Sequence, residues 1–367
     1  MKKIDTLEKK DCSGCMACMN ICPKNAIVMK EDKNGFKYPK IDEKLCIDCG
    51  LCSKACPVIN KLKENLYNIK VYACKNKDEN IRKKSSSGGL FTLFAKYILD
   101  QEGVVFGAKY DENLRVIHDY IEKDDNINEF RGSKYVQSDI NSTYAKAKKF
   151  LSNGRKVLFT GTPCQIEGLI TYLGKNYSNL YTQDFICHGV PSPKVWKKYL
   201  DYKKEKCGED PIKVNFRDKE VLGWSNFQVK YKYKSKDEIV HHDDDYYMNF
   251  FLRNYDLRES CYNCHFKKIR RNSDLTISDF WGINEILPEF NDEKGISSLI
   301  INSNKGQEIF DNIKSRIDFV EVSIEDIIKH NSPLYVSVPY NEKREKFFDY
   351  LDNYNFEDII NEFLENK

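Results

Sequence analysis

Two copies of one cysteine pattern decide how the first 60 residues of this chain fold. The first is Cys12-Ser13-Gly14-Cys15-Met16-Ala17-Cys18-Met19-Asn20-Ile21-Cys22-Pro23, and the second is Cys46-Ile47-Asp48-Cys49-Gly50-Leu51-Cys52-Ser53-Lys54-Ala55-Cys56-Pro57. Both read C-x2-C-x2-C-x3-C-P, a spacing that lets three thiolates of one loop converge on a single [4Fe–4S] cube. The closing proline stops a helix and turns the chain away. Gly14 and Gly50 stand between ligands, where positive φ and close approach to sulfur are expected. Zinc sites take their thiolates in pairs of two, and a disulfide framework needs an oxidising compartment. Neither fits this spacing as well as iron–sulfur ligation does.

In a tandem pair of this kind the fourth cysteine of each run serves the other run's cluster. Cys12, Cys15, Cys18 and Cys56 are therefore expected to hold one cluster. Cys22, Cys46, Cys49 and Cys52 are expected to hold the second. Between the runs, Asn34-Gly35 with Phe36, Tyr38 and Ile41 reads as a short hairpin.

The composition agrees with an ordered protein that binds metal. The chain has 367 residues, 41% of them hydrophobic, enough for two or three domains. Its N-terminal stretch lacks an apolar h-region, and no run of 18 apolar residues occurs, so neither a signal peptide nor a membrane-spanning helix is expected. Fourteen cysteines in such a chain point to a reducing, cytoplasmic setting and to metal ligation. The formal charge of +3 counts every cysteine as neutral. Thiolate-bound clusters are net negative, so the charge gives no argument for nucleic acid.

Residues 61–70 are polar and read as a linker. From Val71 the pattern becomes strand, turn and helix, repeated. Val71–Cys74 is a strand, and Ser85-Ser86-Ser87-Gly88-Gly89 precedes Leu90, Phe91, Leu93, Phe94, Tyr97 and Ile98 at helical spacing. A Ser/Gly turn at a helix start can cradle a phosphate, or can be an ordinary cap. Lys156–Phe159 is a second strand, turning through Thr160-Gly161-Thr162-Pro163-Cys164 into the next helix. Leu180–Ile186 is a third, ending in Cys187-His188-Gly189-Val190-Pro191. Such units predict an α/β layer with its chemistry at the strand C-termini. Phe227, Val229, Tyr231 and Tyr233 alternate with polar residues, as in an antiparallel hairpin with one wet face. His241, His242 and Asp243–Asp245 read as a solvated loop.

Two of the strand ends carry a cysteine, Cys164 and Cys187, and Cys261-Tyr262-Asn263-Cys264 adds two more. These four predict a third four-thiolate site, [4Fe–4S] by analogy with the rest of the chain, with zinc as the competing metal. Cys74 reads as buried filler and Cys207 as a surface thiol.

The motifs together resemble the family of coenzyme F420 hydrogenase/dehydrogenase beta subunits. The resemblance rests on Ser85–Gly89, on Lys134-Tyr135-Val136-Gln137-Ser138, on Gly161-Thr162-Pro163-Cys164-Gln165, on Cys187–Pro191, on Cys261 with Cys264, and on Ser278-Asp279-Phe280-Trp281-Gly282. It implies an FAD-binding domain with one [4Fe–4S] cluster of its own, three clusters in all, and hydride exchange between the flavin and a deazaflavin such as coenzyme F420 or a similar carrier. Ser86, Ser87, Gly88, Gly89, Thr160, Gly161 and Thr162 are then expected at FAD phosphates or ribityl oxygens. Lys134, Tyr135, Gln137 and Ser138 are expected at the flavin, with Trp281 stacked near the ring or in the core. Lys134 and His188 are the candidates for catalytic roles, and a structural histidine is the rival reading for His188.

The fold expected is α+β: a bacterial 2[4Fe–4S] ferredoxin-type domain (1–60), a linker (61–70), a mixed α/β flavin-binding domain (71–310) and a C-terminal helical extension (311–367). The function expected is an iron–sulfur flavoprotein oxidoreductase. It would pass electrons between ferredoxin or another redox protein and a hydride carrier, alone, as a homo-oligomer or as a complex subunit. The rival expectation is a non-catalytic electron-transfer component that wires a separate enzyme.

Overall fold

The two cysteine runs fold as near-repeats because each places a short helix between its second and fourth cysteines. In the computed structural model, which describes residues 4–365, these helices span Ala17–Ile21 and Leu51–Ala55. Each is entered through a left-handed residue, Met16 at φ 61° and Gly50 at φ 69°. Gly14, at φ 70°, also meets the expectation of positive φ. Strands β1 (Ile27–Glu31) and β2 (Lys37–Ile41) pair antiparallel from Ile27↔Ile41 to Glu31↔Lys37, the hairpin expected around Asn34-Gly35. Asp32 fixes that turn by accepting from the backbone N–H of Asn34 and of Phe36.

The rest of the chain is built on one eight-stranded sheet and a smaller antiparallel one. The strands are β3 (Lys70–Asn76), β4 (Val104–Tyr110), β5 (Val116–Ile121), β6 (Val157–Thr160), β7 (Leu180–Phe185), β8 (Lys213–Asp218), β9 (Gln228–Lys232), β10 (Asp237–His241), β11 (Leu275–Asp279), β12 (Ser297–Ile301) and β13 (Ile317–Glu321). The large sheet runs β13-β3-β12-β11-β7-β6-β4-β5 and the small one β10-β9-β8. Neighbours β11, β7, β6 and β4 are parallel. Strand β12 is antiparallel to both β11 and β3, so β3 points the same way as the central four. Five strands thus end at one edge, where ligands of open α/β sheets bind.

Pleating divides the core between the two faces of the sheet. Val105 and Leu158 pack on one face with the helices Leu90–Leu99 and Asn304–Ile313. Val104, Phe106, Val157 and Phe159 face the other way, toward the helices Thr143–Ser152 and Pro163–Leu173. Cys15, Met16 and Ala17 belong to that second cluster, so the ferredoxin-type module is docked on the sheet's covering layer. The segment before β3 is also pinned: Asn65 donates to the carbonyls of Arg271 (2.6 Å) and Asn302 (2.7 Å).

One expectation about the domain plan is corrected. The extension beyond residue 310 is not purely helical, because β13 pairs with β3 from Ile317↔Asn76 to Glu321↔Tyr72 and forms an edge of the main sheet. The boundary at 310 also cuts the helix Asn304–Ile313. Among the described residues no helix is long and apolar enough to cross a membrane.

Candidate functional site

The eight N-terminal cysteines sort into two groups, and the sorting crosses the runs. Cys12, Cys15, Cys18 and Cys56 are all buried, at 6–9% exposure. Cys18 feels the charges of Cys15, Cys12 and Cys56, and burial pushes the Cys15 thiol up to about 12. Cys22 instead joins Cys46, Cys49 and Cys52 around a cavity of about 270 Å³ walled by Ile27, Ile41, Ile47 and Leu51. Cys49 is exposed, and the other three are half-buried.

Cys164, Cys187, Cys261 and Cys264 line one cavity. Each arrives by a different route. Cys164 is the second residue of the Pro163–Leu173 helix, whose start is fixed by a reciprocal cap between Thr162 and Gln165. Cys187 follows β7. Cys261 ends the turn Glu259–Cys261, and Cys264 is held by its N–H donating to Ser337 Oγ at 2.9 Å. The sulfurs have local partners: Thr162 Oγ1 lies 3.0 Å from Cys164 Sγ, and the Val190 N–H donates to Cys261 Sγ at 3.4 Å.

Burial raises the Cys187 thiol to about 11 and the Cys261 thiol to about 12. The cations Lys267 and Arg271 pull Cys187 back down. Four thiols gathered in one cavity, with Cys164, Cys187 and Cys261 raised by burial, are suited to a metal, because a coordinating thiol is deprotonated outright by the metal's charge. The donor set fits a thiolate-held centre.

The first N-terminal group and this cavity are in contact. Asp11 and Ser13 line the cavity, and Asp11 pairs with His265 Nε2 at 2.8 Å. Cys164 and Gly168 sit four apart on the same helical face. A Cβ at Gly168 would lie 3.0 Å from both Cβ and Sγ of Cys15, so glycine lets this helix approach the Cys15 loop this closely. Arg258, fully buried, donates through Nε to the Cys12 carbonyl at 2.7 Å and through Nη2 to Cys12 Sγ at 3.7 Å.

The residues expected to hold a flavin lie along the sheet's C-terminal edge, but not all for that purpose. Ser86 Oγ accepts from the N–H of Ser133 (2.8 Å), and Ser87 Oγ donates to the Ile296 carbonyl (2.7 Å). Gly88 lies against both β3 and β12: a Cβ there would meet the Cys74 carbonyl at 2.5 Å and the Ser297 nitrogen at 2.7 Å. Gly89, at φ 82°, opens the Leu90–Leu99 helix. Lys134 is partly buried; its ammonium donates to the carbonyls of Phe130, Arg131 and Gly132, and burial lowers it to about 7. Lys219 is buried, donates to the Ser87 and Lys294 carbonyls, and is also lowered to about 7 by burial. Tyr110 Oη, beneath Lys134, has no hydrogen-bond partner among the described residues. Lys219 on the Ser87 carbonyl, and Lys134 next to the Ser133 that bonds Ser86, give the Ser86–Gly89 turn two desolvated lysines, which fits an anionic group such as a dinucleotide phosphate.

Other candidates are engaged elsewhere. Thr160 Oγ1 donates to the Phe106 carbonyl (2.9 Å), while Gly161 and Thr162 belong to the Cys164 turn. Ser138 Oγ accepts from Gln165 Nε2 (2.9 Å). Gln137 reaches Ser13 and Arg258, on the side of the Cys12 loop. Tyr135 packs on Phe251, and its hydroxyl lies 3.4 Å from Arg217. Trp281 stacks on Trp224 at 5.1 Å with Arg217 nearby, in an aromatic layer. His188 lines the cysteine cavity but is held by Asn254 at 2.7 Å, and burial lowers its pKa.

Arg258, Gly168 and Lys219 were invisible as site residues in the sequence, since a lone arginine, glycine or lysine carries no spacing signal. His265, beside Cys264, had such a signal.

Residues 71–144 match the N-terminal part, and residues 154–326 the C-terminal part, of the family described as coenzyme F420 hydrogenase/dehydrogenase, beta subunit. Residues 11–60 match a 4Fe-4S dicluster domain. The coenzyme F420-dependent sulfite reductase of Methanocaldococcus jannaschii is 27% identical over 336 residues, which cover 87% of this chain and 48% of that protein. One of the subunits of the F(420)H(2) dehydrogenase of Methanosarcina mazei is 27% identical over 175 residues, 45% of this chain and 49% of that one. The chain spans about half the length of these two relatives. A chain of the F420-reducing [NiFe] hydrogenase complex from Methanosarcina barkeri aligns over 74% of this chain and 87% of its own, at 17% identity and a TM-score of 0.48.

Proposed function

The chain belongs to the family of coenzyme F420 hydrogenase/dehydrogenase beta subunits and carries a [4Fe–4S]-binding ferredoxin-type module; from that premise we propose that it is an FAD-dependent iron–sulfur oxidoreductase. It exchanges hydride with a soluble carrier of the coenzyme F420 type and single electrons with a ferredoxin-like protein. FAD, when bound, supplies the conversion between two-electron hydride chemistry and one-electron clusters. The observation that carries this reading is the convergence of Cys164, Cys187, Cys261 and Cys264 on one cavity that adjoins the Cys12–Cys18 loop.

The residues divide the work by position. The three cysteine groups hold three [4Fe–4S] centres, with Cys56 and Cys22 exchanged between the N-terminal runs. Lys134 and Lys219 neutralise the anionic cofactor beside the Ser86–Gly89 turn, and its charge returns both ammoniums toward their protonated form. Lys267 and Arg271 offset the negative charge of the third centre. His188 positions the Cys187 loop through Asn254.

Composition tests this directly. Anaerobically purified protein should carry about twelve iron atoms and one FAD per chain. About eight iron atoms in the wild type, the content of two [4Fe–4S] clusters, would remove the third centre, and protein without flavin absorption would end the FAD assignment. Cys164→Ser should lose about four iron atoms and leave the N-terminal pair in place.

A further inference from the structure

We propose that Arg258 sets the order of reduction within the N-terminal module, holding the centre of Cys12, Cys15, Cys18 and Cys56 at a higher potential than that of Cys22, Cys46, Cys49 and Cys52. The inference rests on the cluster assignment above. Arg258 is a tuning residue, not a catalytic one.

The guanidinium belongs to a residue that is 0% exposed. Its polar contacts are the Cys12 carbonyl (2.7 Å), Cys12 Sγ (3.7 Å), the Lys37 carbonyl (3.1 Å) and Gln137 Oε1 (3.1 Å), and among the described residues no carboxylate joins them. The Tyr38 ring lies 4.2 Å from its carbon. A buried cation without a counter-ion is costly. The ionisable groups that face Arg258 are the Tyr38 hydroxyl and the sulfurs of Cys12 and Cys261. Cys12 is the one it hydrogen-bonds.

Net charge, hydrogen bonds to sulfur and exposure set iron–sulfur potentials. A cluster gains one negative charge on reduction, so a cation beside it favours the reduced form, and more strongly where the dielectric is low. The outer centre has the opposite environment: Asp48 Oδ1 lies 3.8 Å from Cys46 Sγ, and Cys49 is open to water. Burial alone works against the inner centre, because water solvates the added charge at the outer one. Arg258 reverses that order. Its backbone also anchors the Cys261 turn, since its carbonyl accepts from the Cys261 N–H at 2.9 Å, so one residue ties the inner centre to the third.

The test is a redox titration of the full-length holoprotein, followed by low-temperature EPR, with iron counted in each variant. The two N-terminal centres are identified as those that persist in Cys164→Ser, and in the wild type the first of these two to be reduced should be insensitive to a water-soluble lanthanide chelate, which relaxes only exposed clusters. Arg258→Gln should weaken its reduction at least tenfold, about 59 mV for a one-electron couple, while Arg258→Lys keeps most of the wild-type value. A wild type whose exposed cluster is reduced first overturns the proposal. So does an unmoved potential in Arg258→Gln at full iron content. If that variant loses iron, a wild-type reduction order that fails the chelate test, or a tenfold loss in Arg258→Lys as well, overturns it. A wild type short of iron sinks the cluster assignment instead, so the two failures are distinguishable.

Discussion

The two halves of the N-terminal module share a motif and differ in nearly everything around it. In the first half Met16 occupies the left-handed position at 5% exposure, pressed into the core with Ala17, Ile166 and Leu169. In the second half the same position is Gly50, and its neighbours Ile47 and Leu51 are 57% and 36% exposed. The four cysteines around the first site are buried, and Cys49 of the second is open. The motif therefore specifies ligation, while the neighbours specify direction. The inner site adjoins the third cysteine group, and the outer site opens to solvent.

The largest effect should come from closing the gap between the inner site and the sheet domain. Gly168→Val places a branched side chain against Cys15 and Tyr144, which a bare Cβ already approaches to 3.0 and 3.1 Å. Overpacking of this kind costs about 1–3 kcal/mol, so the thermal midpoint should fall by several degrees and iron at the inner site should be lost. Unchanged iron and midpoint would break the comparison, because they would mean the contact is slack.

Next in size is the contrast between Cys15→Ser and Cys49→Ser. The first should interrupt electron exchange between an external ferredoxin and the rest of the chain, and should do so even where the outer centre survives. The second should slow exchange with the ferredoxin yet leave reduction by the hydride carrier unaffected. Stopped-flow absorbance separates the two, and equal phenotypes would erase the distinction between halves.

A smaller effect is expected from anaerobic chelation. The outer centre should release its iron first, as a fast phase of about four atoms out of about twelve, because water reaches Cys49. A single phase would contradict the burial contrast. The smallest effect is in thiol chemistry. After iron removal, Cys49, open to solvent, should be the first of the two to alkylate, whereas Cys15, raised to about 12 by burial, should stay largely a thiol until the pH approaches that value. Peptide mapping of the label against pH reads this, and equal labelling of the two in mild alkali would count against a retained inner core.

Much of this was legible beforehand, and the reasons are physical. The cysteine spacings marked thiols that the fold gathers into three groups, and Lys156–Phe159 and Leu180–Ile186, each running into a turn, marked strands of an α/β layer. The Asn34-Gly35 turn declared its hairpin. The pairing of the sheet edge β13 was not legible, because its partner β3 lies near the other end of the sheet domain's sequence and a contact of that range cannot be inferred locally. The same non-locality hid Arg258 and Gly168, whose importance lies in what they touch. Thr160 and Gln137 stand in conspicuous motifs, yet Thr160 is bonded into the sheet and Gln137 faces the Cys12 loop.

The central claim is that a hydride-exchanging sheet domain feeds the inner half of the module, which feeds the outer. Its most direct measurement is anaerobic mixing of the purified protein with reduced coenzyme F420, NADH, NADPH and reduced ferredoxin in parallel, following flavin bleaching and freeze-quenched EPR together. The account predicts that one hydride donor bleaches the flavin first and the clusters afterwards, with ferredoxin producing the reverse order. Clusters reduced by the hydride donor with no flavin change, or no reduction by any hydride donor in flavin-replete protein, would contradict it.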